Sequence, residues 1–92
     1  MSYHVEYSDD AKKSLSKMKK KDPMEALRIY NWIGKNLEDC EDPRRTGKAL
    51  TGQFRESWRY RVGDYRILAE IHDDVLVILL IDIGHRSTVY GQ

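Results

Sequence analysis

The chain has 92 residues, a formal net charge of +1, and 34% charged against 40% hydrophobic residues. That length sets one domain, 1–92, with a modest core able to fold alone, and a single cysteine, Cys40, excludes an internal disulfide and any multi-cysteine metal site. The start, "MSYHVEYSDD", lacks the apolar core of a signal peptide, and the longest apolar run, residues 75–81, is far too short to span a bilayer, so the expectation is a soluble, cytoplasmic protein with no membrane partner.

"YHVEY" alternates and predicts a short strand over about 2–7. Ser8 reads as an N-cap, with Asp9 and Asp10 complementing the helix dipole in the first turn. Ala11, Leu15 and Met18 follow at helical spacing, which predicts a helix over about 9–20. Asp22 caps a second helix with Pro23 at its first position and Glu25 completing a D-x-x-E box. Leu27, Tyr30, Gly34 and Leu37 mark its apolar stripe, widened by Ile29 and Ile33, over about 23–38. "DCEDPRRTGKALTGQ" reads as a loop, with one short turn near 48–51. Strands follow at about 54–62, 65–72 and 75–83, joined by the tight connections "VGD" and "DD". In the first of these, Trp58, Tyr60 and Val62 share one parity, and Arg55, Ser57, Arg59 and Arg61 the other, so they lie on opposite faces. "VLVILLIDI" is apolar on both faces and reads as a central strand. The order β-α-α-β-β-β predicts an α+β fold, a small antiparallel sheet with two N-terminal helices packed on one face.

The charges are unevenly placed. Between Arg44 and Arg66 there are seven basic residues and two acidic ones, Glu56 and Asp64. All eight lysines lie at or before Lys48, and seven of the eight arginines at or after Arg44. Arginine binds phosphate with a planar fork, lysine as a point charge. Arg59, Arg61 and Arg66 gather around the turn at Gly63 and Asp64. Cross-strand β-carbons lie about 5 Å apart, so these like charges repel unless an anion sits between them. The face is either a solvated one, relieved by Glu56, Asp64, Glu70 or Asp82, or a surface that holds phosphate.

The tail "DIGHRSTVYGQ" places His85, Arg86 and Tyr90 just after the central strand, at a rim expected near Arg66. Histidine shuttles protons near neutral pH, arginine stabilises charge developing on phosphate, and a tyrosine hydroxyl can exchange a proton. Each also has an ordinary structural explanation. The lysine-rich helix, with Lys12, Lys13 and Lys17, is either a solvated amphipathic face or a second electrostatic contact with a polyanion. No P-loop occurs. His4, His72 and His85 lack metal-ligand spacing, so neither metal nor cofactor is expected.

The element order, "WRYRVGDYRILAEI", the "DD" hairpin and "IGHRSTVY" together resemble the RelE/ParE superfamily of bacterial toxins over nearly the whole chain, and the RelE branch most. The resemblance implies the toxin of a type II toxin–antitoxin system. Resemblance to the RelE branch implies an endoribonuclease that enters the ribosomal A site and cuts mRNA without a metal, held inactive by a cognate antitoxin, RelB-like or similar. It implies that Arg59, Arg61, Arg66, Arg86 and Tyr90 belong to the active site, with Lys48 and Arg55 as further RNA contacts. Arginines stand where lysines can serve as the base, and an arginine is a poor base, which turns attention to His85. Two rivals share the surface: a ParE-like toxin that poisons DNA gyrase and cuts no RNA, and a non-catalytic module that binds RNA or protein.

Overall fold

A computed structural model of the chain describes residues 1–50 and 57–85. The elements are β1 (His4–Tyr7), α1 (Asp9–Lys21), α2 (Pro23–Asn36), β2 (Lys48–Ala49), β3 (Ser57–Val62), β4 (Tyr65–His72) and β5 (Val77–His85). The helix starts follow from their caps. Ser8 Oγ accepts from the Ala11 amide at 3.0 Å, Asp22 accepts from the Glu25 amide at 3.4 Å, and Pro23 opens α2 where its missing N–H is harmless.

The sheet runs β1-β5-β4-β3-β2. Its β2–β3, β3–β4 and β4–β5 pairs are antiparallel, whereas β1 lies parallel to β5, with His4 opposite Val77 and Tyr7 opposite Leu80. The helices between β1 and the later strands return the chain so that β1 joins the far edge in the same direction. β5 is flanked on both sides, as expected of a central strand. The "DD" connection is longer than two residues, because Leu76 takes a left-handed φ of 55° and β5 starts at Val77.

The helices cover one face. Ile29, Ile33 and Leu37 of the α2 region meet Tyr60, Ile67, Ile71, Ile78 and Leu80, all of them buried. This corrects the expected stripe on α2. Ala26, Ile29 and Ile33 are the helix's buried residues, while Leu27 and Tyr30 are 53% and 57% exposed. Both phases repeat at helical spacing, and the branched isoleucines are the ones that turned inward.

A β-bulge interrupts the β4–β5 ladder. Leu68 pairs with Asp82 and Ala69 with Leu80, which leaves Ile81 between them. Alternation therefore changes phase. Ile78 and Leu80 are buried before the bulge and Ile83 after it.

Candidate functional site

Arg61 on β3 lies opposite Arg66 on β4, and Arg59 lies opposite Leu68. On the other side of Arg59 stands Lys48, brought there by β2, a two-residue strand in what the sequence reads as a loop. Gly47 makes that pairing possible. It has φ +85°, and a β-carbon there would overlap the Arg59 carbonyl oxygen and crowd the Trp58 indole. The indole itself donates to the Thr46 carbonyl at 2.8 Å, which fixes the approach to β2.

Gly47, Lys48, Arg59, Arg61 and Arg66 line one open pocket of about 250 Å³. It lies on the sheet face away from the helices, because Tyr60 and Val62, the alternate residues of β3, are buried on the other side. Arg66 Nη1 donates to the Gly63 and Tyr65 carbonyls at 3.3 and 3.2 Å, so its own turn orients it. Two of the acids that could have relieved this face are engaged elsewhere. Glu70 bonds His72 at 3.0 Å, and Asp82 accepts from Ser14 Oγ at 2.6 Å and from the Ile83 amide at 2.8 Å. Such a pocket can grip a phosphate between forked donors and a point charge.

His85 is placed differently from the expectation. It pairs in register with Tyr65, next to the Arg66–Gly84 pair, but its ring stands edge-on to Tyr65 at 5.6 Å. It lines a separate cavity of about 770 Å³ with Tyr65, Ser14, Lys17 and Lys21. Tyr65 shares the parity of buried Ile67, so this is the helix side of the sheet. The bulge at Ile81 is the reason, since it moves every later odd residue of β5 to that side. Lys17 joins His85 there. Lys12 lines a groove with Tyr7, Leu15, Ser16, Lys19 and Tyr30, and Lys13 is exposed on α1. The α1 lysines thus belong to the helical layer and not to the arginine pocket. Arg55, Arg86 and Tyr90 lie outside the described residues.

A second network braces the loop that precedes β2. Arg44 donates to both Asp73 oxygens at 2.9 and 3.0 Å, and the Tyr3 hydroxyl donates to Asp73 at 2.5 Å. The Arg44 bonds, and then that of Tyr3, hold the Asp73 carboxyl below its usual range. The Tyr60 hydroxyl donates to the Pro43 carbonyl at 2.6 Å from a buried position, and burial raises its pKa. The sequence reading missed this network, since nothing links Tyr3, Arg44 and Asp73 before the chain is folded. Among the described residues, no three His, Cys, Asp or Glu side chains converge as metal ligands would, and no helix is long and apolar enough to cross a membrane.

Comparison with known proteins adds the following. The family described as the ParE toxin of type II toxin–antitoxin systems matches residues 5–90. Toxin RelG of Mycobacterium tuberculosis is 26% identical over 92 residues, covering 100% of both chains. The fold is shared with the RelBE2 toxin–antitoxin complex of M. tuberculosis, at TM-score 0.79 and 24% identity over 95% of this chain and 94% of that one. It is shared too with a free-state mutant of the E. coli toxin RelE, at TM-score 0.69 and 20% identity over 99% and 93%. The E. coli DinJ–YafQ toxin–antitoxin complex matches at TM-score 0.67 and 15% identity over 99% and 100%.

Proposed function

This chain belongs to the ParE-toxin family of type II toxin–antitoxin systems, within the RelE/ParE superfamily, and from that premise we propose that it is a ribosome-dependent mRNA interferase of the RelE kind. The observation that carries the proposal is the pocket of Lys48, Arg59, Arg61 and Arg66 on the uncovered sheet face. Three guanidiniums with a lysine beside them suit the negative charge that builds on a phosphodiester undergoing attack. The RelE-type relatives support the same reading.

In this mechanism the message is held in the ribosomal A site, and the ribosome bends it into line. The 2′-oxygen forms a bond to the adjacent phosphorus, and the bond from phosphorus to the 5′-oxygen breaks. The products are a 2′,3′-cyclic phosphate and a free 5′-hydroxyl, with no metal taking part. Arg61 and Arg66 stabilise the equatorial oxygens, and Arg59 holds a neighbouring phosphate. Lys48 accepts the 2′-hydroxyl proton, because a lysine, unlike an arginine, can give up its proton to become a base. It also lies in the pocket, whereas His85 does not. Arg86 completes the phosphate grip, and Tyr90 protonates the leaving 5′-oxygen. Arg55 and the lysines of α1, Lys12, Lys13 and Lys17, add sequence-independent RNA contact. The toxin acts in the cytoplasm and is restrained by a cognate antitoxin.

The family match itself favours a second reading, a gyrase poison that cuts no RNA. Purified toxin mixed with translating ribosomes separates the two. The interferase predicts message cut at codons in the A site. An intact message together with trapped gyrase–DNA complexes supports the other reading.

A further inference from the structure

Arg61 borders two concavities. It lines the arginine pocket, and it also lines a groove of about 370 Å³ between α2 and the β3–β4 turn. Arg28, Asn31, Trp32, Lys35 and Asn36 form the groove's helical wall. They recur at i, i+3, i+4, i+7 and i+8, so they share one face of α2. That face carries two cations, two amides and a single indole. Arg28, Asn31, Lys35 and Asn36 are exposed, and Trp32 is half-buried. The Trp32 ring is tilted 54° against Tyr60 at 5.7 Å, so the core holds part of the indole and the groove takes the rest. Asn36 donates to the Trp32 carbonyl at 3.0 Å, which keeps its amide beside that ring.

The turn joins the groove to the pocket. Gly63 has φ +62°, and a β-carbon there would stand 2.9 Å from Arg28 Nη1. The Gly63 carbonyl accepts from Arg66 Nη1 at 3.3 Å. Arg28 therefore lies against the same glycine that orients Arg66, with Arg61 two residues before it. Glu25 meets Arg28 only at 3.4 Å, and Asp64 is exposed in the turn, so the groove keeps a cationic balance. An aromatic platform, amides and cations are the groups that hold an unstacked nucleotide: the ring takes the base, the amides its edge, the cations its phosphate. An acidic peptide would use the cations and leave the indole without a role.

We propose that this groove is a second RNA subsite, which takes the nucleotide of the message next to the scissile phosphate. Its base stacks on Trp32, Asn31 and Asn36 meet the base edge, and Arg28 and Lys35 hold the flanking phosphate. A strand that leaves the arginine pocket past Arg61 enters the groove directly. The inference rests on the interferase reading for the identity of that strand. Its consequence is selectivity, since Asn31 and Asn36 then bias which nucleotide is accepted beside the cut.

The test has two arms. In the first, a short single-stranded RNA with 2′-O-methyl sugars, which block cutting, carries 2-aminopurine, an adenine analogue whose fluorescence falls on stacking. Wild-type toxin is expected to quench it. Trp32→Leu is expected to abolish quenching and weaken binding about tenfold or more, and Trp32→Phe to restore most of the binding. Circular dichroism checks the fold, because Trp32 packs against Tyr60. The exposed Lys35 gives a second variant: Lys35→Gln is expected to lower the slope of log affinity against log salt by about 0.7. In the second arm, on programmed ribosomes, Arg28→Gln and Lys35→Gln are expected to raise the toxin concentration for half-maximal cutting about fivefold, with the loss in half-saturation and not in the rate at saturation. No quenching by wild type, or an unchanged salt slope in Lys35→Gln, overturns the proposal. So does equal weakening by these variants on ribosomes without message, which assigns the groove to ribosomal RNA. Quenching that Trp32→Leu abolishes, in a toxin that cuts no message, overturns the interferase reading and keeps the groove as a site for single-stranded RNA. Normal cutting with half-saturation unchanged in Arg28→Gln and Lys35→Gln does the reverse.

Discussion

Two guanidiniums opposite each other across a hairpin oppose folding unless an anion joins them. Like charges carried by facing residues of two strands reduce stability, by up to about 1 kcal/mol where solvent screens them. Arg61 is exposed, lies opposite Arg66 and borders a groove with Trp32 and Lys35 of α2. Arg61→Ala is therefore expected to melt no lower than wild type, and up to about 4–8 °C higher if about 1 kcal/mol of repulsion is relieved. The same variant is expected to lose on the order of 10²–10³ in single-turnover cleavage. A lower melting temperature with full toxicity would make Arg61 a structural residue. Lys48 and His85 are distinguished by a pair of substitutions. Lys48→Arg keeps the charge but removes the base, and is expected to bind RNA normally while cleaving about 10²-fold more slowly or worse. His85→Gln, on the other side of the sheet, is expected to cleave within a few-fold of wild type. The opposite pattern in the two variants would move the base to the helix-side cavity.

The elements account for what could be read beforehand and what could not. The two helices were legible because Ser8, Asp22 and Pro23 mark their starts chemically. The opposite faces of β3 were legible because period-two alternation holds from Ser57 to Val62. The place of His85 was not, because the bulge at Ile81 breaks that alternation on β5, and a bulge in an all-apolar run leaves no pattern to detect. The burial phase of α2 was ambiguous for a related reason, as Leu27 and Tyr30 repeat as regularly as Ile29 and Ile33. β2 was missed because two residues carry no periodicity and its position depends on the backbone angle of Gly47. Gly47→Ala tests that dependence. The overlap with the Arg59 carbonyl and the positive φ together are expected to cost about 1–3 kcal/mol. Lys48 is then displaced from Arg59, so cleavage falls even below the melting temperature. Normal cleavage in Gly47→Ala would show that β2 does not place Lys48.

At the scale of the whole molecule, the sheet separates two surfaces, a cationic pocket on its open face and a lysine-rimmed apolar groove on its helical layer. The clamp of Tyr3, Arg44 and Asp73 joins the loop that precedes β2 to the β4–β5 hairpin and makes stability depend on pH. The folded pKa of Asp73 is lowered, so its contribution is present above the ordinary carboxylate range and is lost as pH falls through the folded value. Tyr3, Tyr7 and Tyr60 are raised, Tyr3 chiefly by its bond to Asp73 and the other two by burial, Tyr7 to about 12. Their contribution is complete below pH of about 10 and is lost above it. Denaturant midpoints are expected to hold between these limbs, and Asp73→Asn is expected to flatten the acid limb and to remove the share of Tyr3 from the alkaline limb, leaving that of Tyr7 and Tyr60. An unchanged acid limb in Asp73→Asn would remove the clamp from the account. The central claim, that the open-face pocket cuts message on the ribosome, is tested most directly by primer extension on mRNA incubated with programmed ribosomes and purified toxin. The account predicts cuts within the A-site codon for wild type, none on naked mRNA, and none with Arg66→Ala. Full-length message on programmed ribosomes with folded wild-type toxin, or equal cutting by Arg66→Ala, would contradict it.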